Sequence, residues 1–154
     1  CIDAVLTIGT GAGVAEAEAL ARNAGKPAFR SAFAVDPAAA DRLAGRDVFA
    51  FAGIGRPEKF FETLRGVGAR LAATAPFADH HAFSDAEARD LLETARRRGL
   101  TLATTEKDHV RLGGSPTLDR LAREAIPVPV RLDLPQGLVD AAAAAVSAVR
   151  RAGA

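Results

Sequence analysis

Short apolar runs alternate along the chain with amphipathic stretches, and glycine or proline stands at most of the joins. Residues 4–8 form the first apolar run, and Gly9-Thr10-Gly11-Ala12-Gly13 leads into an Ala- and Glu-rich stretch, 14–24, that Gly25 stops. This predicts strand, glycine turn and helix. Lys26-Pro27 turns the chain into residues 28–35, which alternate well enough for a second strand. Asp36-Pro37, followed by three alanines, is the best boundary in the chain. Proline disfavours helix at the residue before it and can open a helix itself.

Beyond that boundary the alternation is more regular. Val48-Phe49-Ala50-Phe51-Ala52 is a continuous apolar run, short enough for a strand buried on both faces. Gly53-Ile54-Gly55 turns the chain, and Pro57 stands where a first helical residue belongs, beside Glu58. Phe60, Phe61 and Leu64 make one apolar stripe, which Gly66 and Gly68 end. A strand over 70–75 follows. Ser84-Asp85-Ala86-Glu87 reads as a capping box, with Ala88, Leu91, Leu92 and Ala95 on the inward face of its helix. Arg96-Arg97-Arg98 suit the negative end of that helix, and Gly99 closes it. Residues 100–103 are another strand, and Thr105 with Asp108 marks a helix start. Residues 126–130 form a last strand, whose two prolines remove ladder donors and place it at a sheet edge. Pro135 then opens an Ala-rich helix that runs to about 151. Four strands alternating with helices predict an α/β fold: a mostly parallel sheet with helices on both faces, three layers in all.

Composition narrows the class. Of 154 residues, 49% are hydrophobic and 25% charged, a globular balance that excludes a disordered chain and suits one domain, or one domain with a fragment of another. Lys and Arg number 20 against 19 Asp and Glu, so there is no general electrostatic case for nucleic acid or an anionic membrane. No apolar run reaches the roughly 18 residues that cross a bilayer. The single cysteine, Cys1, excludes an internal disulfide framework and a Cys-based zinc site, which suits a reducing compartment. The chain contains no methionine and begins inside an apolar run with no charged segment before it. We therefore expect a piece of a longer protein whose beginning is missing, not a secretory signal.

In parallel α/β sheets ligands bind beyond the carboxyl ends of the strands, where loops and helix N-termini converge. Three segments put unusual residues there: Gly53-Ile54-Gly55-Arg56-Pro57-Glu58-Lys59, Phe77-Ala78-Asp79-His80-His81 and Thr104-Thr105-Glu106-Lys107-Asp108. A carboxylate beside two imidazoles can move a proton, orient another base or bind a metal, and histidines at such a place can equally cap the next helix. The glycine turn with Arg56 can cradle an anion or simply allow tight strand–helix packing. It is not a P-loop, because G-x-x-x-x-G-K-[ST] is absent. Lys107 and Glu106 taken alone read as an ion pair, and His109 as a surface helix residue. The Gly9–Gly13 run has its third glycine one position early for a dinucleotide fingerprint.

Together these segments resemble a known family. Phe49-Ala50-Phe51-Ala52-Gly53-Ile54-Gly55-Arg56-Pro57-Glu58-Lys59-Phe60-Phe61, Phe77-x-Asp79-His80-His81-x-Phe83 and Thr104-Thr105-Glu106-Lys107-Asp108-x-Val110-Arg111-Leu112 are similar, in order and spacing, to tetraacyldisaccharide 4'-kinase, the lipid A 4'-kinase of Gram-negative bacteria. The likeness runs from about Ile2 to the last strand. It implies transfer of the γ-phosphate of ATP, with Mg²⁺, to the 4'-hydroxyl of a lipid-bearing glucosamine disaccharide 1-phosphate at the cytoplasmic face of the inner membrane.

The family joins an N-terminal P-loop domain to a smaller C-terminal α/β domain, with the active site between them. The resemblance makes residues 1–36 the tail of the first domain and the crossing segment, and residues 37–154 the second. The Walker lysine, the Mg²⁺ ligands and the membrane-associated helix would lie in the part that is missing. The implied partners are therefore the lipid-linked disaccharide and the protein's own N-terminal domain, and the fragment alone would be soluble and inactive.

By the same resemblance His80 pairs with a catalytic carboxylate of the absent domain while Asp79 holds its ring, with His81 the alternative. Arg56, Lys59 and Lys107 would give the cleft a positive potential toward the substrate phosphate. Ala78 and Ala82 stand where the family commonly has proline, and His109 where an apolar residue is expected. Two other classes compete: a metal-dependent Asp-His-His phosphoesterase, whose further upstream ligands are absent, and a non-catalytic module that binds a nucleotide or sugar phosphate.

Overall fold

A computed structural model describes residues 2–152. The elements run β1 (Val5–Ile8), α1 (Ala12–Asn23), β2 (Ala28–Val35), α2 (Pro37–Leu43), β3 (Asp47–Ala52), α3 (Pro57–Gly66), β4 (Arg70–Pro76), α4 (Asp85–Arg98), β5 (Thr101–Thr105), α5 (Glu106–His109), α6 (Pro116–Glu124), β6 (Ile126–Val128), β7 (Val130–Asp133) and α7 (Gln136–Ala152). They divide into two compact units, one of Cys1–Ala34 with Arg131–Ala154 and one of Val35–Val130.

The first unit holds a three-stranded sheet in the order β1-β2-β7. β1 and β2 are parallel, with Val5 opposite Ala28 and Ile8 opposite Ser31. Glu18 of α1 ties the layer to the sheet. It takes a two-point bond from Arg30 (2.8 and 2.6 Å) and one from the Thr7 hydroxyl at 2.9 Å. The bond from Arg30, before any other cause, holds the Glu18 carboxyl below its ordinary value. Residues 131–154 cluster with residues 1–34.

The second unit is a four-stranded parallel sheet in the order β4-β3-β5-β6. Side chains alternate across it, so β3 presents Val48, Ala50 and Ala52 to one layer and Phe49 and Phe51 to the other. The two layers are built differently. Against Ala50, Ala52 and Ala103, all fully buried, α3 sets Phe60, Phe61 and Leu64, and α2 adds Ala39 and Leu43. On the opposite face the strands supply Phe49, Phe51 and Leu102, so the helices bring smaller or aliphatic residues: Ala88, Leu91, Leu92 and Ala95 from α4, Leu118 and Leu121 from α6. Large meets small across each interface, which is how a close-packed interior fills without voids. The three-layer expectation holds for this unit.

Local chemistry sets the boundaries. Asp36 caps α2 through the Ala38 N–H and Pro37 follows it; Ser84 and Glu87 form the expected capping box; Gly99 ends α4 at φ 64. Two features differ from expectation. The apolar run 126–130 is two strands, not one: β6 pairs with β5 as an edge strand, whereas β7 joins the other sheet. Pro129 sits at the break; it lacks an N–H to extend the ladder, and its carbonyl accepts the Asp36 N–H at 2.9 Å. A helix not drawn from the sequence, α6, follows Gly113-Gly114. Its signals were Ser115, which caps the Leu118 N–H at 3.1 Å, Pro116 at its start, and Leu118 and Leu121 facing inward.

Candidate functional site

β3, β4 and β5 end side by side, and each passes directly into one of the three unusual segments. Gly53 is where they meet. Its N–H donates to Asp108 Oδ2 at 2.9 Å and its carbonyl accepts the His80 N–H at 3.1 Å, so a single residue ties the first segment to both others. A Cβ at position 53 would lie 3.1 Å from His81 Cβ, 3.2 Å from the Ala78 carbonyl and 3.3 Å from Asp108 Oδ1. Only glycine fits comfortably there. Gly55 is close to the second segment as well, with Asp79 Oδ2 3.6 Å from where its Cβ would be.

Asp108 is fully buried and fully engaged. Besides the Gly53 N–H it accepts the Thr105 hydroxyl at 2.7 Å, and Arg111 Nη1 lies 3.4 Å from its other oxygen. The Thr105 hydroxyl in turn accepts the Asp108 N–H at 3.0 Å, the cap that starts α5. A buried carboxylate is tolerated only when its oxygens are satisfied in this way. Its neighbour Thr104 is buried on the Leu102 face of β5, and its hydroxyl finds no partner among the described residues.

The two histidines have different surroundings. His81 is half-buried: its ring stacks on Phe77 (centroids 4.8 Å apart), meets the edge of Phe83 at 5.2 Å, and places Nε2 2.9 Å from Glu87 Oε1. Glu87 also accepts the backbone N–H and hydroxyl of Ser84, and these bonds, with a smaller contribution from His81, pull its carboxyl from 4.5 down to about 2. His81 thus binds the loop to the start of α4. His80 is exposed and is the only described non-glycine residue at positive φ, 60°. Its Nδ1 lies 2.8 Å from Arg111 Nη2, and its Nε2 lies on the side of the Asp79 carboxylate. The expected hold of Asp79 on this ring is not made, since the carboxylate stands 3.9 Å from Nε2, beyond hydrogen-bond reach. Arg111 holds it instead.

Arg56 precedes α3, Lys59 lies in its first turn and Lys107 lies in α5; all three are exposed. None of their side-chain cations has an ion pair or hydrogen bond among the described residues, so the pair expected between Lys107 and Glu106 does not form. His109 is half-buried: its Nε2 meets the Ala122 carbonyl at 2.8 Å and joins α5 to α6. Among the described residues no three His, Cys, Asp or Glu side chains gather as metal ligands. The sequence marks Asp108 only as part of a helix start and gives Arg111 no role of its own. Their signal was the i, i+3 spacing of opposite charges at a helix start.

Fold and site define a class: a parallel α/β unit whose strand-end rim carries an exposed imidazole held by Arg111, with exposed cations on two of the segments that form the rim. The family model described as tetraacyldisaccharide-1-P 4'-kinase matches residues 1–147. The chain belongs to that family. It is 48% identical over 131 residues to the tetraacyldisaccharide 4'-kinase of Rhodopseudomonas palustris (strain BisA53), covering 85% of this chain and 38% of that one. It is 45% identical over 159 residues to the enzyme of that name from Xanthobacter autotrophicus, covering 96% of this chain and 46% of the relative. The chain thus spans less than half the length of these curated relatives. A crystal structure of LpxK from Aquifex aeolicus, described as an apo form in complex with ATP, is 23% identical with a TM-score of 0.48, over 76% of this chain and 35% of that one.

Proposed function

We propose that this chain is the C-terminal part of a phosphotransferase that moves the γ-phosphate of ATP to the 4'-hydroxyl of a tetraacyl glucosamine disaccharide 1-phosphate, a step of lipid A biosynthesis. The observation that carries the proposal is that the three segments by which the chain resembles its family meet around Gly53, with His80 held and exposed at their junction. In this reading residues 1–34, together with 131–154 that cluster with them, belong to the nucleotide-binding domain.

The residues of this chain do not themselves fit an ATP or Mg²⁺ site. The sequence lacks the Walker pattern, and the described residues gather no acidic cluster. Nucleotide and metal are therefore assigned to the remainder of the protein. No helix among the described residues is long and apolar enough to cross a membrane.

Phosphoryl transfer depends chiefly on positioning and charge stabilisation. The acceptor hydroxyl loses its proton to a carboxylate, its oxygen bonds to the γ-phosphorus, and the bond from that phosphorus to the ADP oxygen breaks. His80 orients that carboxylate, which lies outside this chain. Asp79 stands 3.9 Å from the His80 ring and adds its charge there, and Arg56, Lys59 and Lys107 supply positive potential toward the substrate phosphate. His81, already committed to Glu87 and two phenylalanine rings, is the scaffold of the pair.

The test is His80→Ala in the full-length enzyme. We expect turnover to fall on the order of 100-fold, the usual scale for a residue assisting proton transfer, with the KM for ATP little changed. Near-normal turnover would sink the assignment.

A further inference from the structure

Arg111 joins the side chains of Asp108 and His80, whose backbone link is Gly53. One branch of its guanidinium, Nη1, lies 3.4 Å from Asp108 Oδ1, and the other, Nη2, lies 2.8 Å from His80 Nδ1. Asp108 cannot swing to follow it, because the opposite oxygen is held by the Gly53 N–H and the Thr105 hydroxyl. His80 is fixed to the same point from the other side, since its own N–H bonds to the Gly53 carbonyl. Imidazole and guanidinium are therefore both referenced to Gly53, and the φ of 60° at His80 is part of that geometry.

The consequence follows from donor and acceptor counting. A guanidinium has only donors and keeps its charge at any ordinary pH. The His80 nitrogen it meets must be the unprotonated one, so the neutral ring carries its proton on Nε2. We propose that Arg111, seated on the buried Asp108, is a positioning residue that locks His80 in the Nε2–H tautomer. The ring then presents a hydrogen-bond donor, not a base, at its exposed edge, and the group it meets is an acceptor such as a carboxylate or phosphate oxygen. This deepens the kinase reading: the proton of the acceptor hydroxyl goes to the carboxylate, and His80 holds that carboxylate by donating to it.

The tautomer is read directly by long-range ¹H–¹⁵N correlation spectra of the intact protein labelled at histidine, taken at a pH above the imidazole range. His80 should show a protonated Nε2 and an unprotonated Nδ1 as one species. In Arg111→Ala a population with the proton on Nδ1 should appear. Arg111→Lys keeps the charge but not the two-branched reach, so it should behave like Arg111→Ala. Turnover of both variants should fall about tenfold or more, the usual scale for a group that fixes an imidazole's tautomer, with the KM for ATP within about twofold of the parent. A wild-type ring protonated at Nδ1, spectra unchanged in Arg111→Ala, or full turnover in Arg111→Lys would each overturn the proposal. The spectra require no catalysis, so they stand apart from the test of the kinase reading.

Discussion

A histidine at φ 60 is held against its own backbone preference. The left-handed region costs an ordinary L-residue about 1 kcal/mol or more, while glycine adopts it freely. At position 80 the opposing hold is modest: one N–H on the Gly53 carbonyl and one ring nitrogen on Arg111. A backbone held in this region by so few contacts is consistent with the role proposed for the ring. Two substitutions separate strain from chemistry. His80→Gly and His80→Ala both lose the ring, but only alanine keeps the disfavoured backbone. His80→Gly should be the more stable of the two by about 1 kcal/mol in urea unfolding, with turnover equally low in both. Equal stabilities would mean that the backbone at this position is not strained.

The start of α4 is the element on which the motif loop leans. Ser84 and Glu87 satisfy each other as a capping box, and the same carboxylate reaches back to His81, so helix cap and loop share one charge. Because the folded Glu87 carboxyl is lowered to about 2, its contribution is complete above its ordinary value of 4.5 and is lost as pH falls from there toward 2. Glu87→Gln should therefore be less stable than the parent at neutral pH, by about 1 kcal/mol, because the capping bonds stay but lose their charge. The gap should close as chemical unfolding is followed down to acid pH. A gap that stays constant would place the effect outside this charge.

The capping box was legible in the sequence because its two partners stand three residues apart. The same holds for the glycine and proline punctuation of α3, for the strands of the second unit, and for the three segments that meet at its rim. What escaped was non-local. Nothing in the spacing of His80 and Arg111, 31 residues apart, predicts a bond between them. Nor does a charge at a helix start reveal that Asp108 is buried. Position 126–130 read as one strand because its composition is uniform; only the sheet each half joins separates them.

At the scale of the whole molecule, the distribution of the core decides what can stand alone. Every residue of the two buried clusters, from Val35 to Val128, lies within the unit Val35–Val130, and so do all the hydrogen bonds that assemble the rim. The other unit is thinner, and among its described apolar residues Ile8, Leu20 and Phe33 are exposed. A stretch of about 100 residues with both sheet faces covered is large enough for cooperative folding. Residues 35–130 expressed alone should give a dispersed NMR spectrum and a single sigmoidal urea transition with a slope of about 1–3 kcal/mol/M. The His81 and Phe83 ring signals should be shifted as expected for stacked aromatics, because their partners Phe51, Phe77 and Glu87 all travel with the fragment. A collapsed, non-cooperative species would show that this core depends on residues outside 35–130.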